Sequence, residues 1–171
     1  MSDKIIIEGE YSFDFSESID AYKADDKTKA GLKSVDFIVE TEKTFLFIEV
    51  KNVDNKNTPK KQTQLWLEKL KEPRKVFLND MGGKFKDTLL HNFAMEKYFQ
   101  KPIRYIIILQ FDIFDSKQRG RLKEELHAFL PMGLSNSEYK RKIKIEKYDV
   151  VNIKQWNENK DYSMYPIVLI G

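Results

Sequence analysis

Three charged residues interrupt the apolar stretch SVDFIVETEKTFLFIEVKN at residues 34–52. Asp36 stands near its start, and Glu49 and Lys51 stand near its end. Two carboxylates provide the hard oxygen ligands that Mg²⁺ and Mn²⁺ prefer, and the carbonyl of Val50 could be a further ligand. A metal there could polarise a phosphoryl oxygen and activate a water, while the lysine orients that water or offsets charge on phosphorus. The pattern indicates metal-assisted hydrolysis.

A β-hairpin would bring these three charges together. Residues 35–40 and 45–51 alternate in or near β fashion, and the polar ETEK between them is typical of a turn. Side chains alternate along a strand, so Glu49 and Lys51 share one face. In an antiparallel pair the start of the first strand lies beside the end of the second, which places Asp36 on the same rim.

A salt bridge on the rim is the alternative interpretation of these charges. The pattern Glu-x-Lys is weak by itself, because the chain also contains it at Glu138–Lys140 and Glu158–Lys160. An exposed ion pair contributes only about 0–1 kcal/mol to stability. Among these pairs, only Glu49–Lys51 ends an apolar strand that follows a strand opening on an acid, and this context favours a catalytic site.

Composition argues against several other kinds of site. The chain has 171 residues with two histidines and no cysteine, which excludes disulfides and thiolate sites and argues against a histidine-rich zinc centre. Its 41% hydrophobic and 33% charged residues predict one globular domain over residues 1–171. The apolar runs are too short for a membrane span, so we expect a cytoplasmic protein. The net charge of +3 neither demands nor excludes nucleic acid.

The rest of the chain predicts alternating helices and strands. The nearly continuous apolar run at 103–110 is typical of a strand covered on both faces, while Gly82–Gly83 is interpreted as a turn. The expected fold is α/β, with a mixed central β-sheet flanked by helices in two or three layers. We expect helices at about 14–24 (with Ser16 as N-cap), 59–70, 84–99 and 116–130, strands at about 4–9, 103–110, 142–151 and 165–170, and a short helix or turn at 152–162.

These residues resemble the PD-(D/E)xK nuclease superfamily, also called restriction-endonuclease-like. In that family an acid opens one strand, and Glu-x-Lys or Asp-x-Lys closes the next. Asp36 matches the first acid, Glu49 the second and Lys51 the lysine. The family core is a helix, a mixed central sheet and a second helix, with the active site at the rim of the hairpin.

The resemblance implies a restriction-endonuclease-like fold and a nuclease that depends on Mg²⁺ or Mn²⁺, with DNA as the expected substrate. It also implies that Asp36, Glu49 and the carbonyl of Val50 bind the metal. Many members use an additional acid on the first helix. Glu17 is the first candidate for that acid and Asp20 the second, and an exposed helix charge is the alternative for both.

The resemblance covers about residues 10–112 and leaves 113–171 as a C-terminal elaboration. Two features depart from the family pattern. Val35 stands where a proline commonly precedes the first acid. The strand between the first helix and that acid has little room, so KTKAGLKS is either irregular or replaced in this role by KIIIEG.

Basic and amide side chains beyond the hairpin are candidates for contacts with nucleic acid. A helix N-terminus favours anions, so lysines just after Pro59 could guide a phosphate backbone. Amides there could touch the phosphate or metal-bound waters, and capping or solvation is the alternative. The candidates are Lys60, Lys61, Gln62, Gln64, Arg119 and Arg121.

Three functions are compatible with these patterns. The first is a metal-dependent endonuclease, for which cleavage of both strands would favour a homodimer. The second is a catalytically inactive nucleic-acid-binding or protein-interaction module that has kept the three charges. The third is a subunit of a restriction, defence or repair assembly that is active only with its partners.

Overall fold

The computed structural model describes residues 4–25 and 31–171. The described part of the chain begins with β1 (Ile5–Glu8), β2 (Tyr11–Asp14), β3 (Asp20–Lys23), β4 (Phe37–Glu40) and β5 (Phe45–Asn52). It continues with α1 (Lys60–Lys69), α2 (Lys75–Ala94), β6 (Ile103–Gln110), α3 (Ser116–Leu126), β7 (Ile145–Val151), α4 (Ile153–Glu158) and β8 (Ile167–Leu169). Two 3₁₀ turns, His127–Phe129 and Met132–Ser135, lie between α3 and β7. None of the described helices combines the length and the apolarity that crossing a membrane requires.

A five-stranded mixed sheet forms the centre of the molecule, in the order β3-β4-β5-β6-β7. The first three strands pair antiparallel, whereas β5, β6 and β7 run parallel. The expected mixed sheet is therefore confirmed. Strand β6 occupies the interior position that its apolar run predicts, since Ile106, Ile107 and Ile108 are all fully buried.

Helices cover one face of this sheet, and a second small sheet covers the other. Phe47, Tyr105 and Ile107 share a core with apolar residues of α2 and α3. Ile48 and Ile106 point the opposite way, into a core shared with β1, β2, β8 and α4. Within the small sheet, β2 pairs antiparallel with both β1 and β8. The result is a three-layer α/β arrangement, in which β5 is apolar on both faces because both are covered.

The helix expected at about 14–24 is wrong. Phe13 and Phe15 are both fully buried in the core between the central sheet and the small sheet, which we call the second core. Their spacing of two residues suits extended chain rather than a helix. Between β2 and β3, the Asp14 carboxylate accepts a hydrogen bond from the Ser16 N–H at 2.9 Å, and the Ser18 hydroxyl donates to the Phe15 carbonyl at 2.6 Å. Short polar side chains thus stabilise a turn, and Ser16 is not a helix cap.

The helix expected at 84–99 is also displaced. Helix α2 begins at Lys75 and ends at Ala94, so Gly82 and Gly83 lie inside it rather than in a turn. A Cβ added at Gly82 would lie 2.5 Å from the carbonyl oxygen of Phe129. The absence of a side chain at Gly82 therefore allows α2 to pack closely against the turn after α3.

The other expected elements are confirmed with small changes in their bounds. Helix α1 follows Pro59, and α3 ends at Leu126, where the chain tightens into the 3₁₀ turn. Helices α3 and α4 both begin with a capping box. The Asp115 or Asn152 side chain accepts a hydrogen bond from the backbone N–H three residues later. The glutamine at that later position accepts one in return from the backbone N–H of the capping residue.

The two glycines of α2 provide a matched test of this packing. Gly82→Ala should destabilise the protein by about 1–3 kcal/mol, because its methyl group would meet backbone that has little room to move. Gly83→Ala should stabilise it by roughly 0.5–1 kcal/mol, because nothing lies within 4 Å of that methyl group and alanine favours the helix. Urea unfolding of both variants measures the difference. Equal effects at the two positions would contradict the close approach at Gly82.

Candidate active site

Asp36 and Glu49 face each other across the hairpin. Phe37 pairs with Ile48 in the antiparallel register of β4 and β5, so the next position along brings Asp36 opposite Glu49. The Asp36 carboxylate accepts a hydrogen bond from the Val50 N–H at 2.6 Å, and its own carbonyl accepts one from Ala24 at 2.8 Å. Backbone contacts on both sides therefore hold Asp36 at the rim.

Glu49 carries the most constrained charge in the site, because its side chain is 0% exposed. Its Oε1 atom forms ion pairs with two ammonium groups, Lys51 on the same strand and Lys84 on α2, the latter at 2.6 Å. Its Oε2 atom has no hydrogen-bond partner among the residues that the structure describes. A buried carboxylate oxygen of this kind is left with the capacity to bind a further group.

Lys84 is a member of the site that the sequence patterns missed. Its side chain is 17% exposed, close to the 19% of Lys51, and it approaches Glu49 from the helical layer. The available signal was the four-residue spacing of Asp80 and Lys84, which places both on one side of a helix. That signal was hidden because the glycines between them were interpreted as a turn.

Asp80 adds a third acid near this cluster. It forms an ion pair with Lys33 at 2.5 Å. Burial by itself would raise the pKa of Asp80, but the hydrogen bond and charge of Lys33, with the charges of Lys51 and Lys84, lower it overall. The two site lysines thus act on Asp80 as well as on Glu49.

The site shifts the pKa of Asp36 and Lys84 upward for different reasons. Burial, and then the charge of Glu49, raise the pKa of Asp36 to about 7, against the opposing effects of the Val50 N–H and both lysines. Burial lowers the pKa of Lys84, but Glu49, Asp36 and Asp80 outweigh it, and the net pKa is raised. The arrangement therefore favours a charged lysine and holds a proton near Asp36 up to neutral pH.

Tyr105 connects this cluster to the helix above it. Its buried hydroxyl donates a hydrogen bond to the Met81 carbonyl of α2 at 2.9 Å. Burial raises the pKa of Tyr105 well above its usual value, and the charges of Glu49, Asp36 and Asp80 add to that shift. This contact joins β6 to the turn of α2 that precedes Lys84.

The donor set fits a hard divalent cation with an incomplete protein shell. Asp36 and Glu49 provide carboxylate oxygens, one of which, Oε2 of Glu49, has no hydrogen-bond partner in the described part of the chain. Within the described residues, no three His, Cys, Asp or Glu side chains group closely enough to hold a metal by themselves. Mg²⁺ commonly binds through one or two carboxylates, with waters and substrate phosphates as its other ligands. The Val50 carbonyl, as a third ligand, stays a prediction.

Glu17 and Asp20 do not join the site. Asp20 opens β3 and pairs with Glu40, at the end of β4 away from Asp36. Glu17 lines a pocket with Thr41 and other residues of the hairpin turn, also at that far end. The assignment of Glu17 as an additional catalytic acid is therefore corrected. The reason is that this segment is a turn and a strand, so it does not bring an acid along a helix to the rim.

Arg119 is a structural residue rather than a contact for nucleic acid. It is buried in α3, where its guanidinium donates to the Gln155 side chain at 2.9 Å and also to the Phe114 carbonyl. The first bond joins α3 to α4, and the second joins α3 to the segment that precedes it. Arg121, on the same helix, is exposed.

The other candidates for nucleic-acid contacts lie on the exposed side of α1. Among the described residues, the N-cap residue Pro59 makes no side-chain capping hydrogen bond to this helix. All four side chains are open to solvent, namely Lys60, Lys61, Gln62 and Gln64.

Comparisons with protein-family models, with curated proteins and with solved structures give no match for this chain.

The raised pKa of Asp36 predicts a pH dependence of stability in metal-free protein. Between about pH 4 and pH 7 the folded state keeps the Asp36 proton that the unfolded chain has released. The Asp36 proton therefore stabilises the folded state at the acid end of this range. Its contribution to the free energy of unfolding falls as the pH rises, by at most about 1.4 kcal/mol per pH unit. Asp36→Asn removes the titration, so the stability of wild type relative to this variant should fall across the window. Urea unfolding at several pH values measures it, and a constant difference would contradict the assignment.

Proposed function

We propose that the chain is a metal-dependent nuclease that hydrolyses phosphodiester bonds, with DNA as the expected substrate. The observation that carries this proposal is the meeting of Asp36, Glu49 and Lys51 near the carboxyl end of β5, where one oxygen of Glu49 has no partner among the described residues. Opposed acids next to a lysine, at the carboxyl end of a parallel strand, match the chemistry expected for metal-assisted attack on phosphate.

The strand order supports a restriction-endonuclease-like core. An antiparallel series β3-β4-β5 is followed by helices α1 and α2 and then by β6, parallel to β5. That order agrees with the superfamily after its first helix. The described chain departs from it at the first helix, because a turn and β3 occupy most of the segment at about 14–24 where that helix is expected. The proposal therefore depends on the site and on the order of elements from β3 to β6.

The protein side chains have distinct tasks in the proposed reaction. Asp36 and Glu49 would hold the cation, which when bound polarises a phosphoryl oxygen and lowers the pKa of a water. The Val50 N–H donates a 2.6 Å hydrogen bond to the Asp36 carboxylate and so fixes its orientation. The Lys51 ammonium, half-buried beside Glu49, is placed to offset the negative charge that develops on phosphorus.

A non-catalytic module is a second candidate function, and one observation favours it. Both ammonium groups pair with the Glu49 carboxylate, and Asp36 keeps a proton up to about neutral pH, so the buried charge of Glu49 is compensated without a metal. The charges would then be structural, and the chain would act by binding nucleic acid or a protein partner. Calorimetric titration with Mn²⁺ separates the two candidates, since only the nuclease requires binding at Asp36 and Glu49.

The first prediction of the nuclease proposal concerns cleavage. Purified protein should cut DNA with Mg²⁺ or Mn²⁺. Asp36→Asn and Glu49→Gln should abolish detectable cleavage because they remove the cation's ligands. Lys51→Met should slow it on the order of 10²–10³-fold, as expected for losing a group that stabilises transition-state charge. Gel assays at fixed metal concentration, with circular dichroism to check folding, measure these effects.

The chain contains its own control for this experiment. Glu138 and Lys140 form the same Glu-x-Lys pattern on an exposed segment, so Glu138→Gln and Lys140→Met should leave cleavage unchanged. If wild type cuts neither DNA nor RNA with either metal, the proposal fails. A loss of cleavage in the control variants would show that the assay reports something other than this site.

The second prediction concerns binding of duplex DNA through α1. Replacing Lys60 and Lys61 by Gln should weaken binding and reduce the slope of log affinity against log salt by about 1.8, because each phosphate contact contributes about 0.9. Lys142 and Lys144 are the matched control, because both are exposed and directly precede β7. They therefore lie at the amino end of the parallel strands, whereas α1 follows the carboxyl end of β5. Fluorescence anisotropy over a salt series measures the slope. An equal change in both double variants would contradict a specific role for α1.

A further inference from the structure

Glu49 binds two lysines through one oxygen atom. Lys51 comes from the same strand, two residues later, and Lys84 comes from α2 at 2.6 Å. Both ammonium groups are largely removed from solvent, and the carboxylate is removed completely. A single ion pair would leave Glu49 with one partner for its buried charge. The second lysine therefore strengthens the neutralisation at a position where desolvation is most costly.

The two lysines differ in how freely they could leave Glu49. Lys51 is fixed beside it, because both side chains project from the same face of one strand. Lys84 reaches across from the helical layer, and Asp80 lies one helical turn before it. Asp36 and Asp80 lie within electrostatic reach of both lysines, so nearby acids do not distinguish them. What differs is that Lys84 reaches Glu49 from another element, whereas Lys51 stays beside Glu49 on the same strand.

We propose that Lys84 is a built-in counterion for Glu49 that occupies the cation's electrostatic role in metal-free protein and is displaced when a divalent cation binds. This inference rests on the proposed function, because it assigns a regulatory part to a residue of the same site. The ammonium of Lys84 and a divalent cation cannot both stay close to the Glu49 carboxylate without strong mutual repulsion. Metal binding therefore includes the cost of moving Lys84 away, so Lys84 sets the affinity of the site for its metal.

A thermodynamic cycle follows from this competition. Lys84 stabilises the metal-free fold through Glu49 but opposes the metal-bound form. Removing its charge should therefore destabilise metal-free protein more than metal-saturated protein. The same change must appear as tighter metal binding, because the two measurements close one cycle.

The test is Mn²⁺ binding, followed by electron paramagnetic resonance of the free ion and by calorimetry, without any substrate. Lys84→Gln keeps a hydrogen-bond donor for Glu49 but removes the charge, and it should bind Mn²⁺ more tightly, on the order of tenfold. Lys84→Met is the second variant, used if the glutamine variant does not fold. Lys86→Gln is the matched control, because Lys86 is exposed two positions further along α2, and it should bind as wild type does. Glu49→Gln should abolish the binding in every background.

Thermal unfolding provides the second measurement. Without metal, Lys84→Gln should melt below wild type, and saturating Mn²⁺ should reduce that gap. Equal or weaker Mn²⁺ affinity in the folded variant would overturn the inference, and so would a melting gap that Mn²⁺ leaves unchanged. A Lys86→Gln variant that tightens binding as much as Lys84→Gln would also overturn it, since a general charge effect would then suffice.

Failure of this inference and failure of the nuclease proposal have different signatures. If wild type binds Mn²⁺ and the Lys84 variants bind no tighter, the inference fails and the metal site stands. If only the Lys84 variants bind Mn²⁺, the inference is supported, and wild type is not a metal-dependent nuclease by itself. If no variant binds Mn²⁺, both proposals fail.

Discussion

The burial of the Glu49 carboxylate is the constraint on which the rest of the site depends. Its side chain is completely removed from water on a strand whose two faces are apolar up to that residue. An isolated buried charge is strongly unfavourable, so such a group persists only with charged and hydrogen-bonded partners. Lys51 and Lys84 satisfy one oxygen of the carboxylate, and the other oxygen is unpartnered among the described residues.

Three elements from two layers of the structure converge to meet that constraint. Strand β5 carries Glu49 and Lys51, the start of β4 brings Asp36, and α2 supplies Lys84. The position of α2 depends in turn on contacts far from the charges. Tyr105 binds its Met81 carbonyl from β6, and Gly82 allows the close approach of the turn after α3. The position of the Lys84 charge at the rim therefore depends on how the helical layer packs, because α2 takes part in both.

Local patterns predicted well wherever a segment's own periodicity matched its environment. The hairpin, β6 and α3 follow from alternation, from an unbroken apolar run and from helical spacing, respectively. The segment at 14–24 failed because Ile19 and Tyr22 imitate helical spacing, whereas burial of Phe13 and Phe15 in the second core selects extended chain. Gly82 and Gly83 misled for a similar reason. Glycine weakens a helix locally, but close packing against the Phe129 carbonyl favours it at this position.

The sequence by itself determined the hairpin and, through its two-residue alternation and antiparallel pairing, that Asp36, Glu49 and Lys51 would share a rim. These relations span few residues and depend on strand geometry that almost any sheet imposes. Only the tertiary structure decided that Lys84 completes the cluster, that Glu17 lies at the far end of the hairpin and that Arg119 is buried. Each of these outcomes depends on which distant segments pack together, and such packing is set by the whole core rather than by local spacing.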